Sequence, residues 1–472
     1  MPEHPATTAT ATATATATDT ATATVTTTHG PVRGERRRVH GAHAFRFLGI
    51  PYAAPPVGAL RFAPPAAPAP WAAPLDATAY GPTAQRRAVG EGATVPEPSV
   101  PGDAVLNLNV FTPAPVPAPG ARAALPVLVW IHGGGFTAGS AASPWYDGAA
   151  FNRDGVVLVS IGYRLGIEGF LHLADAPDNR GVRDWIAALE WVRDNIAAFG
   201  GDPAKVTVAG QSAGAGAVQT LLVTPAARGL FRAAISMSAP LMEPQERWTG
   251  PAVAELFTRR TGVPATAAAL RGLSDDRLLA LQEAVDAPGP DRAHLPGPPF
   301  QPRADGELIP RPVLAELTGG DLGAEVPLLL GFTRHEFHAF GGQELTDLVF
   351  RRPNLAVAEA RAARGRPTWL YEFGWAPPVP GGGTRGLAVH CLDLPFAFDL
   401  LGVEGVMAAA GEAPPQHLAD AVHAALTAFV RDLDPGGAWP RYTRDRRAAR
   451  LWADGPALVA DPFRAERARW FG

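Results

Sequence analysis

Runs of apolar residues, each long enough for one strand, recur through the middle of the chain. Residues 125–132 form one such run, which three glycines follow, and residues 156–161 and 206–209 form two more. Between the second and third runs, apolar side chains recur at helical spacing over residues 184–199, at Ile186, Leu189, Val192, Ile196 and Phe199. Runs that are apolar on both faces are typical of parallel strands buried between two layers of helices.

Weaker patterns extend this prediction toward both ends of the chain. Further strands are predicted at residues 25–32, 45–47, 326–332 and 368–373, and a helix at residues 419–432. Residues 51–101 are rich in Pro and Ala, so turns are expected to order them. Strands that alternate with helices predict an open, doubly wound α/β sheet. Since no repeat or linker divides the chain, residues 25–472 are predicted to form a single domain with long insertions.

Residues 1–24 have a different composition, largely a Thr-Ala repeat interrupted by Asp19. A secretory signal would have a cationic start and an unbroken apolar stretch, whereas here Thr interrupts the stretch and Glu3 lies near the start. We therefore predict a disordered or misannotated extension, with an export signal as the alternative. The corresponding location is cytoplasmic, with secretion as the alternative.

Charge and composition exclude several classes of partner. The 472 residues carry a formal net charge of −4, with Lys205 the only lysine, which offers no attraction to nucleic acid or anionic membranes. No apolar run is long enough to span a bilayer. The single cysteine, Cys391, excludes an intramolecular disulfide. The expected partner is a small molecule, and a monomer is favoured.

The strongest local signal is Gly-Gln-Ser-Ala-Gly at residues 210–214, between the strand at residues 206–209 and a segment able to form a helix. A nucleophile on a sharp strand-to-helix turn needs small residues two positions before and after it, because larger side chains would collide with neighbouring elements. The turn also sets the hydroxyl near the positive end of the helix. An ordinary glycine turn is the alternative, but the flanking elements favour Ser212 as a nucleophile.

A second glycine-rich segment, His-Gly-Gly-Gly-Phe at residues 132–136, ends an earlier strand. Acyl transfer needs N–H donors for a developing oxyanion, and glycine lets backbone N–H groups face the substrate without a side chain in the way. The predicted oxyanion hole combines the N–H groups of Gly134, Gly135 and Ala213. A phosphate-binding loop is disfavoured because no Lys-Ser/Thr follows the glycines.

Taken in order, these motifs resemble the type-B carboxylesterases, the family that includes bacterial para-nitrobenzyl esterases and the cholinesterases. The matching segments are residues 47–62, 108–111, 132–136, 163–166 and 195–214. The resemblance is densest before residue 215 and continues to the C-terminus. It implies an α/β-hydrolase fold and a hydrolase of carboxylic esters that forms a covalent acyl-enzyme, with no cofactor or metal.

The resemblance also implies the rest of a triad in the order Ser, acid, His. His390 lies in a segment that resembles the family's His-x-x-Glu/Asp-Leu-Pro-Phe, and it is the candidate base. His417 and His423, on a predicted surface helix, are disfavoured. Glu336 follows the strand at residues 326–332 and is the candidate acid. Asp305 and Asp347 are the alternatives.

The chain departs from the family near this acid. The family usually has Asp-Glu-Gly, whereas this chain has His335, Glu336 and Phe337, and a bulky Phe in place of Gly is expected to alter the turn. His335 and His338 also raise the possibility of a zinc site. That possibility is disfavoured because the two histidines are three positions apart rather than the four of His-Glu-x-x-His.

Other departures concern charge near the nucleophile. Gln211 stands where many relatives carry Glu, which disfavours cationic substrates such as choline esters. Asp103 lies in a cysteine-free counterpart of the family's first disulfide region, and it is expected to form a structural ion pair with Arg164.

The predicted function is the hydrolysis of small-molecule carboxylic esters, with water as the second reactant. Carbamates, amides or lactones are alternative substrates of the same triad. A catalytically silent, cholinesterase-like binding or adhesion protein is the alternative of another class, disfavoured because candidates for all three triad members are present. Phe136 is a candidate substrate contact, as are Trp145 and Phe396, with core packing as the alternative for each.

Overall fold

The computed structural model describes residues 22–39, 42–84, 94–114, 124–240, 246–295, 297–378 and 386–472. The strands are β1 (Thr22–Thr26), β2 (Pro31–Val39), β3 (Ala42–Pro51), β4 (Leu75–Asp76), β5 (Asn107–Thr112), β6 (Leu125–Ile131), β7 (Val157–Ile161), β8 (Gly201–Gln211), β9 (Ala233–Met237), β10 (Leu328–Thr333), β11 (Thr368–Phe373), β12 (Ala448–Trp452) and β13 (Ala457–Ala460). The α-helices are α1 (Ala149–Arg153), α2 (Gly166–Phe170), α3 (Arg180–Asn195), α4 (Ala213–Leu222), α5 (Thr249–Thr261), α6 (Ala267–Leu270), α7 (Asp275–Asp286), α8 (Val313–Gly319), α9 (His338–Thr346), α10 (Arg352–Ala363), α11 (Leu394–Ala397), α12 (Val406–Ala410), α13 (Gln416–Asp432) and α14 (Arg464–Phe471).

Across the described ranges these strands form one sheet, in the order β1-β2-β3-β5-β7-β6-β8-β9-β10-β11-β12-β13, with β4 beside β2. From β7 to β12 every neighbouring pair is parallel. The strands at the two ends pair antiparallel. The predicted parallel centre is therefore confirmed.

Helices cover both faces of the sheet, which explains why its central strands are apolar on both sides. Along β6, Val127, Val129 and Ile131 point into one core and Leu128 and Trp130 into the other. Side chains of α3 and α4 pack into the first core. Side chains of α13 pack into the second. The strand-length runs of the sequence thus mark the positions buried between two helical layers.

Most predicted elements coincide with observed ones, with differences at their ends. The strand predicted at residues 368–373 is β11, whereas the helix predicted at residues 184–199 begins earlier and gives way to a 3-10 turn at Ile196–Phe199. The strand predicted at residues 25–32 spans parts of β1 and β2 with the turn between them. Residues 1–21 of the predicted tail lie outside the described residues, and its last three residues belong to β1.

This sheet brings the candidate residues to one edge. Carboxyl ends of parallel strands meet on the same side of an open α/β sheet, which is where such folds bind ligands. Ser212 directly follows β8, Glu336 comes three residues after β10, and His390 lies in the segment that follows β11. None of the helices in the described ranges is both long and apolar enough to cross a membrane.

Candidate active site

Ser212 lies on a sharp turn between β8 and α4. Its backbone has φ 56° and ψ −126°, a strained conformation for a residue with a side chain. Its N–H donates to the carbonyl of Met237 at 2.9 Å, and its carbonyl accepts from the N–H of Gly216 at 2.9 Å. A Cβ at Gly214 would lie 2.0 Å from the carbonyl oxygen of Ile131. Only glycine therefore fits at this position, in agreement with the need for a small residue two positions after the serine.

His390 connects the serine to the candidate acid. Its Nε2 lies 2.8 Å from Ser212 Oγ, and its Nδ1 is hydrogen-bonded to Glu336 Oε2. The side-chain amide nitrogen of Gln211 also lies 3.2 Å from His390 Nε2. In the neutral form of the ring, the proton is on Nδ1, because the carboxylate of Glu336 can only accept, and Nε2 is left as the accepting nitrogen. This tautomer is the one that a general base acting on Ser212 requires.

The acid turn, which we define as residues 333–338, holds Glu336 from two directions. Its Oε1 accepts from the N–H of Thr333 at 2.7 Å, and its backbone carbonyl accepts from the N–H of His390 at 3.2 Å. The Glu336 side chain is fully buried. The alternative acids bond elsewhere, since Asp305 accepts from Asn179 and Asp347 from Arg351.

The charge on His390 is set by opposing effects. Burial acts against the imidazolium, but the interactions of the ring with Cys391 and with the carboxylate of Glu336 outweigh burial, so the pKa of His390 is raised well above its ordinary value. A second carboxyl, that of Asp393, lies nearby and accepts a hydrogen bond from the hydroxyl of Tyr371 at 3.0 Å. Burial and the charge of Glu336 raise the pKa of Asp393 to about 7. Below that pH Asp393 is mostly neutral and adds little charge to the site.

The glycine loop after β6 faces the serine. A Cβ at Gly133 would lie 3.1 Å from the Cβ of Ser212, and Gly134 and Gly135 have φ values of +110° and +61°. Within the described part of the chain, the N–H groups of Gly134 and Gly135 donate to no protein acceptor. Ala213 is the first residue of α4, so its N–H is also outside the helical ladder.

His132 fixes the start of this loop. Burial lowers the pKa of His132 to about 4, so the ring is neutral. Its Nδ1 lies 2.8 Å from the carbonyl oxygen of Gly133, which can only accept, so Nδ1 carries the proton. The hydroxyl of Tyr163 donates to the carbonyl of His132 at 3.0 Å. The loop is thus held by two buried side chains, neither of which binds the N–H groups of Gly134 and Gly135.

Comparisons with known proteins agree with this geometry. The sequence model of the Carboxylesterase family matches residues 21–345. Para-nitrobenzyl esterase of Bacillus subtilis is 33% identical over 497 aligned positions, which cover 94% of this chain and 98% of that protein. The chain belongs to the carboxylesterase family. Phenmedipham hydrolase of Pseudarthrobacter oxydans is also 33% identical, covering 89% of this chain and 93% of that protein.

Solved structures extend this relationship to the fold. A structure of PNB esterase matches this carboxylesterase with a TM-score of 0.84 and 31% identity, covering 95% of this chain and 99% of that one. A carboxylesterase of Geobacillus stearothermophilus matches with a TM-score of 0.79 and 34% identity over the same shares. The protein therefore has the α/β-hydrolase fold and is a serine hydrolase of carboxylic esters.

The apolar candidates for substrate contact lie in the core of this carboxylesterase. Phe136 is 6% exposed and packs against Phe170 and Trp185. Trp145 and Phe396 are fully buried. These contacts are those of core residues, and substrate contact by Phe136 stays a prediction.

Two expectations from the sequence are wrong. Arg164 does not pair with Asp103; its buried guanidinium donates to both carboxylate oxygens of Asp184, at 2.9 and 2.7 Å. The end of β7 leads Arg164 toward α3, and Asp103 is exposed. His423 is 1% exposed rather than on the surface, because it is on the face of α13 that packs on the sheet, where its Nδ1 lies 2.8 Å from the carbonyl of Ala397.

Several side chains around the imidazole were missed from the sequence. The contact of Gln211 with His390 and the hydrogen bond between Tyr371 and Asp393 were not expected. Neither was Phe350, whose ring centroid lies 5.0 Å from that of His390. Phe337 was noted only as a departure from the family. The acidic position of the His-x-x-Glu/Asp motif was the one available signal, because it already identified Asp393 as part of the segment.

Proposed function

We propose that this carboxylesterase hydrolyses small, neutral carboxylic esters through an acyl-enzyme on Ser212, with His390 as the base and Glu336 as the acid. One observation carries the proposal. The imidazole of His390 lies between Ser212 Oγ, 2.8 Å from Nε2, and the carboxylate of Glu336 at Nδ1. A base within hydrogen-bond reach of a hydroxyl, oriented by a third group, is the arrangement that activates a serine.

In the first half of the reaction, Ser212 Oγ attacks the ester carbonyl while His390 Nε2 takes its proton. The oxyanion accepts hydrogen bonds from the N–H groups of Gly134, Gly135 and Ala213; the first two bond no acceptor among the described residues, and the third is at the start of α4. The imidazolium then gives the proton to the leaving alcohol. In the second half, water attacks the acyl-enzyme with the same base and the same donors.

The preference for neutral esters is supported by Gln211. Its buried side chain contacts the base and carries no charge, so a cationic alcohol group gains no attraction there. Carbamates, amides and lactones pass through the same tetrahedral intermediate and are the alternative substrates.

Active-site labelling tests the proposal directly. The purified protein should react with a fluorophosphonate probe and hydrolyse p-nitrophenyl acetate, and Ser212→Ala should abolish both while the fold, measured by circular dichroism, is retained. Ser274→Ala, which removes a hydroxyl at the start of α7, serves as the matched control and should keep both. Labelling that persists in Ser212→Ala would refute the nucleophile assignment. A parallel panel of a phenyl carbamate, an anilide and a lactone decides among the substrate classes.

A further inference from the structure

The imidazole of His390 is in contact with two phenylalanine rings. The ring centroids of Phe337 and His390 are 5.0 Å apart, with the planes inclined by 71°. The ring of Phe350 is also 5.0 Å away, inclined by 46°. The two phenylalanines meet each other at 4.8 Å and 85°. The three rings therefore form one mutually packed aromatic cluster, with distances typical of favourable edge-to-face contacts.

Phe337 reaches the imidazole from the acid turn itself. It directly follows Glu336, whose carboxylate binds His390 Nδ1. Consecutive residues thus hold the ring in two ways, one by a hydrogen bond at a single atom and one by contact with the ring. The side chain of Phe337 is partly buried against the core, which leaves it little freedom to turn away.

Phe350 comes from a separate element, a π-helical turn at Asp347–Arg351 that continues into α10. Its side chain is fully buried. The next residue, Arg351, donates to the carbonyl of Arg334 at 3.2 Å and contacts Glu372 at 3.4 Å. The π-helical turn is therefore tied to the acid turn, and the two aromatic rings keep a fixed relation to Glu336.

We propose that Phe337 and Phe350 form an aromatic clamp that positions the catalytic imidazole. A hydrogen bond at Nδ1 alone allows the ring to pivot about that bond, whereas packing by two rings removes this freedom and keeps Nε2 on Ser212 Oγ. The same rings exclude water from that side of His390, whose side chain is only 15% exposed. Both are positioning residues, because neither carries a group that takes part in bond making. The proposal rests on the triad proposed above.

Kinetics of the Phe337 variants test the clamp. In Phe337→Ala we expect kcat for p-nitrophenyl acetate to fall by about tenfold with KM within about twofold, because a looser base affects the chemical step more than binding. Phe337→Leu, which refills most of the volume, should recover to within about threefold of the native kcat. Phe340→Ala is the matched control: this phenylalanine lies on the same segment and is 82% exposed, and its ring meets Phe337 at 5.6 Å. It should stay within about twofold of the native kcat.

A pH profile separates positioning of the base from a merely structural role. Burial lowers the tendency of His390 to become charged. Opening one side of the ring to water relieves that effect, so the pKa of His390 should rise and the acid limb of kcat/KM should move to higher pH in Phe337→Ala. If the two rings only stabilised the fold, Phe337→Ala would lower the melting temperature without moving the acid limb.

The outcomes are distinguishable from failure of the triad itself. All rates are normalised to the concentration of sites labelled by fluorophosphonate, so loss of folded enzyme does not count as loss of kcat. A Phe337→Ala enzyme with native kcat and an unshifted acid limb would overturn the clamp while Ser212 remained the labelled nucleophile. An equal loss in Phe340→Ala would overturn it as well. Phe350→Leu should shift the acid limb in the same direction, and an unshifted limb there would remove Phe350 from the clamp.

Discussion

The two halves of the site are built from different materials. The nucleophile half, residues 132–139 and 210–216, consists mostly of glycine and alanine and presents backbone N–H groups beside one hydroxyl. The imidazole half, residues 333–351 and 388–393, presents a carboxylate, an imidazole and two phenylalanine rings. The first half is defined by backbone conformation and the second by contacts among side chains.

This difference determines what each half tolerates. In the nucleophile half there is no space for a larger side chain at the glycines, since a Cβ at Gly134 or Gly214 would lie within 2.2 Å of a backbone carbonyl oxygen. On the imidazole side the space is filled by side chains that can be exchanged for others of similar volume, provided that charge and hydrogen-bond direction are kept. Substitutions should therefore act through geometry on the first side and through protonation and ring position on the second.

Among the substitutions that compare the two halves, the largest effect should come from changing the hydrogen-bond direction at Glu336. In Glu336→Gln the amide oxygen can still accept from the N–H of Thr333, which leaves the amide nitrogen facing His390 Nδ1. Both would then donate, so the ring must take the tautomer with the proton on Nε2, which cannot act as a base on Ser212. We expect kcat/KM to fall by about 10³- to 10⁴-fold, with the fold intact. Steady-state kinetics with p-nitrophenyl acetate provide the measurement.

Asp305→Asn is the control for this substitution. Asp305 was the alternative acid, but it bonds Asn179 and the N–H groups of Glu307 and Ile309 rather than the imidazole. It should keep kcat/KM within about threefold of the native value. If Asp305→Asn and Glu336→Gln lost activity equally, the imidazole half would have been assigned to the wrong acid.

The same contrast explains what the sequence could and could not predict. The turn at Ser212 and the glycine loop are each one contiguous segment of the sequence. Their tight packing requires glycine at fixed positions, so both can be recognised from local sequence. The hydrogen bond between Glu336 and His390 joins residues 54 positions apart, and the sequence reached it only through family motifs. Phe350 and the contact of Gln211 with His390 depend on how separate segments meet.

The predictions for the ion pair of Arg164 and for the exposure of His423 were wrong for the same reason. Arg164 bonds Asp184 because α3 packs beside the end of β7, a proximity that no local pattern encodes. The burial of His423 was missed although the helix itself was predicted, because its two polar partners, the carbonyl of Ala397 at Nδ1 and the carboxylate of Asp154 3.1 Å from Nε2, come from distant segments. Element positions follow from periodicity, whereas polar pairing follows from the completed fold.

An intermediate effect is expected on the nucleophile side. In Gly134→Ala the new Cβ would lie 2.2 Å from the carbonyl oxygen of Ala138, at a φ of +110° that alanine rarely adopts. The loop must shift, which displaces the proposed oxyanion donors, and kcat should fall by about 10²- to 10³-fold. Fluorophosphonate labelling should slow in parallel, since it uses the same donors.

Gly229→Ala is the matched control for backbone strain. Gly229 also has a positive φ, +82°, but a Cβ there meets nothing within 4 Å. It should lower thermal stability slightly and leave kcat within about twofold. A Gly134→Ala enzyme as active as Gly229→Ala would show that the glycine loop does not supply the donors.

The smallest effect, and the one that joins the two halves, is expected at Gln211, which precedes Ser212 in the chain yet contacts His390. When the ring is neutral, the amide nitrogen of Gln211, 3.2 Å from His390 Nε2, donates to that nitrogen and so favours the unprotonated form. In Gln211→Glu a carboxylate would accept there instead and favour the imidazolium, in addition to the carboxylate of Glu336, which already raises the pKa of His390. Because the reaction needs the unprotonated base, the acid limb of kcat/KM should move up by about one pH unit and the rate at neutral pH should fall several-fold, recovering at alkaline pH. Gln211→Met, which lacks both charge and donor, should shift the limb less and in the same direction.

The charge added in Gln211→Glu should also raise kcat/KM for acetylthiocholine relative to its neutral 3,3-dimethylbutyl analogue. An unmoved acid limb together with unchanged selectivity would mean that Gln211 belongs to the nucleophile half alone.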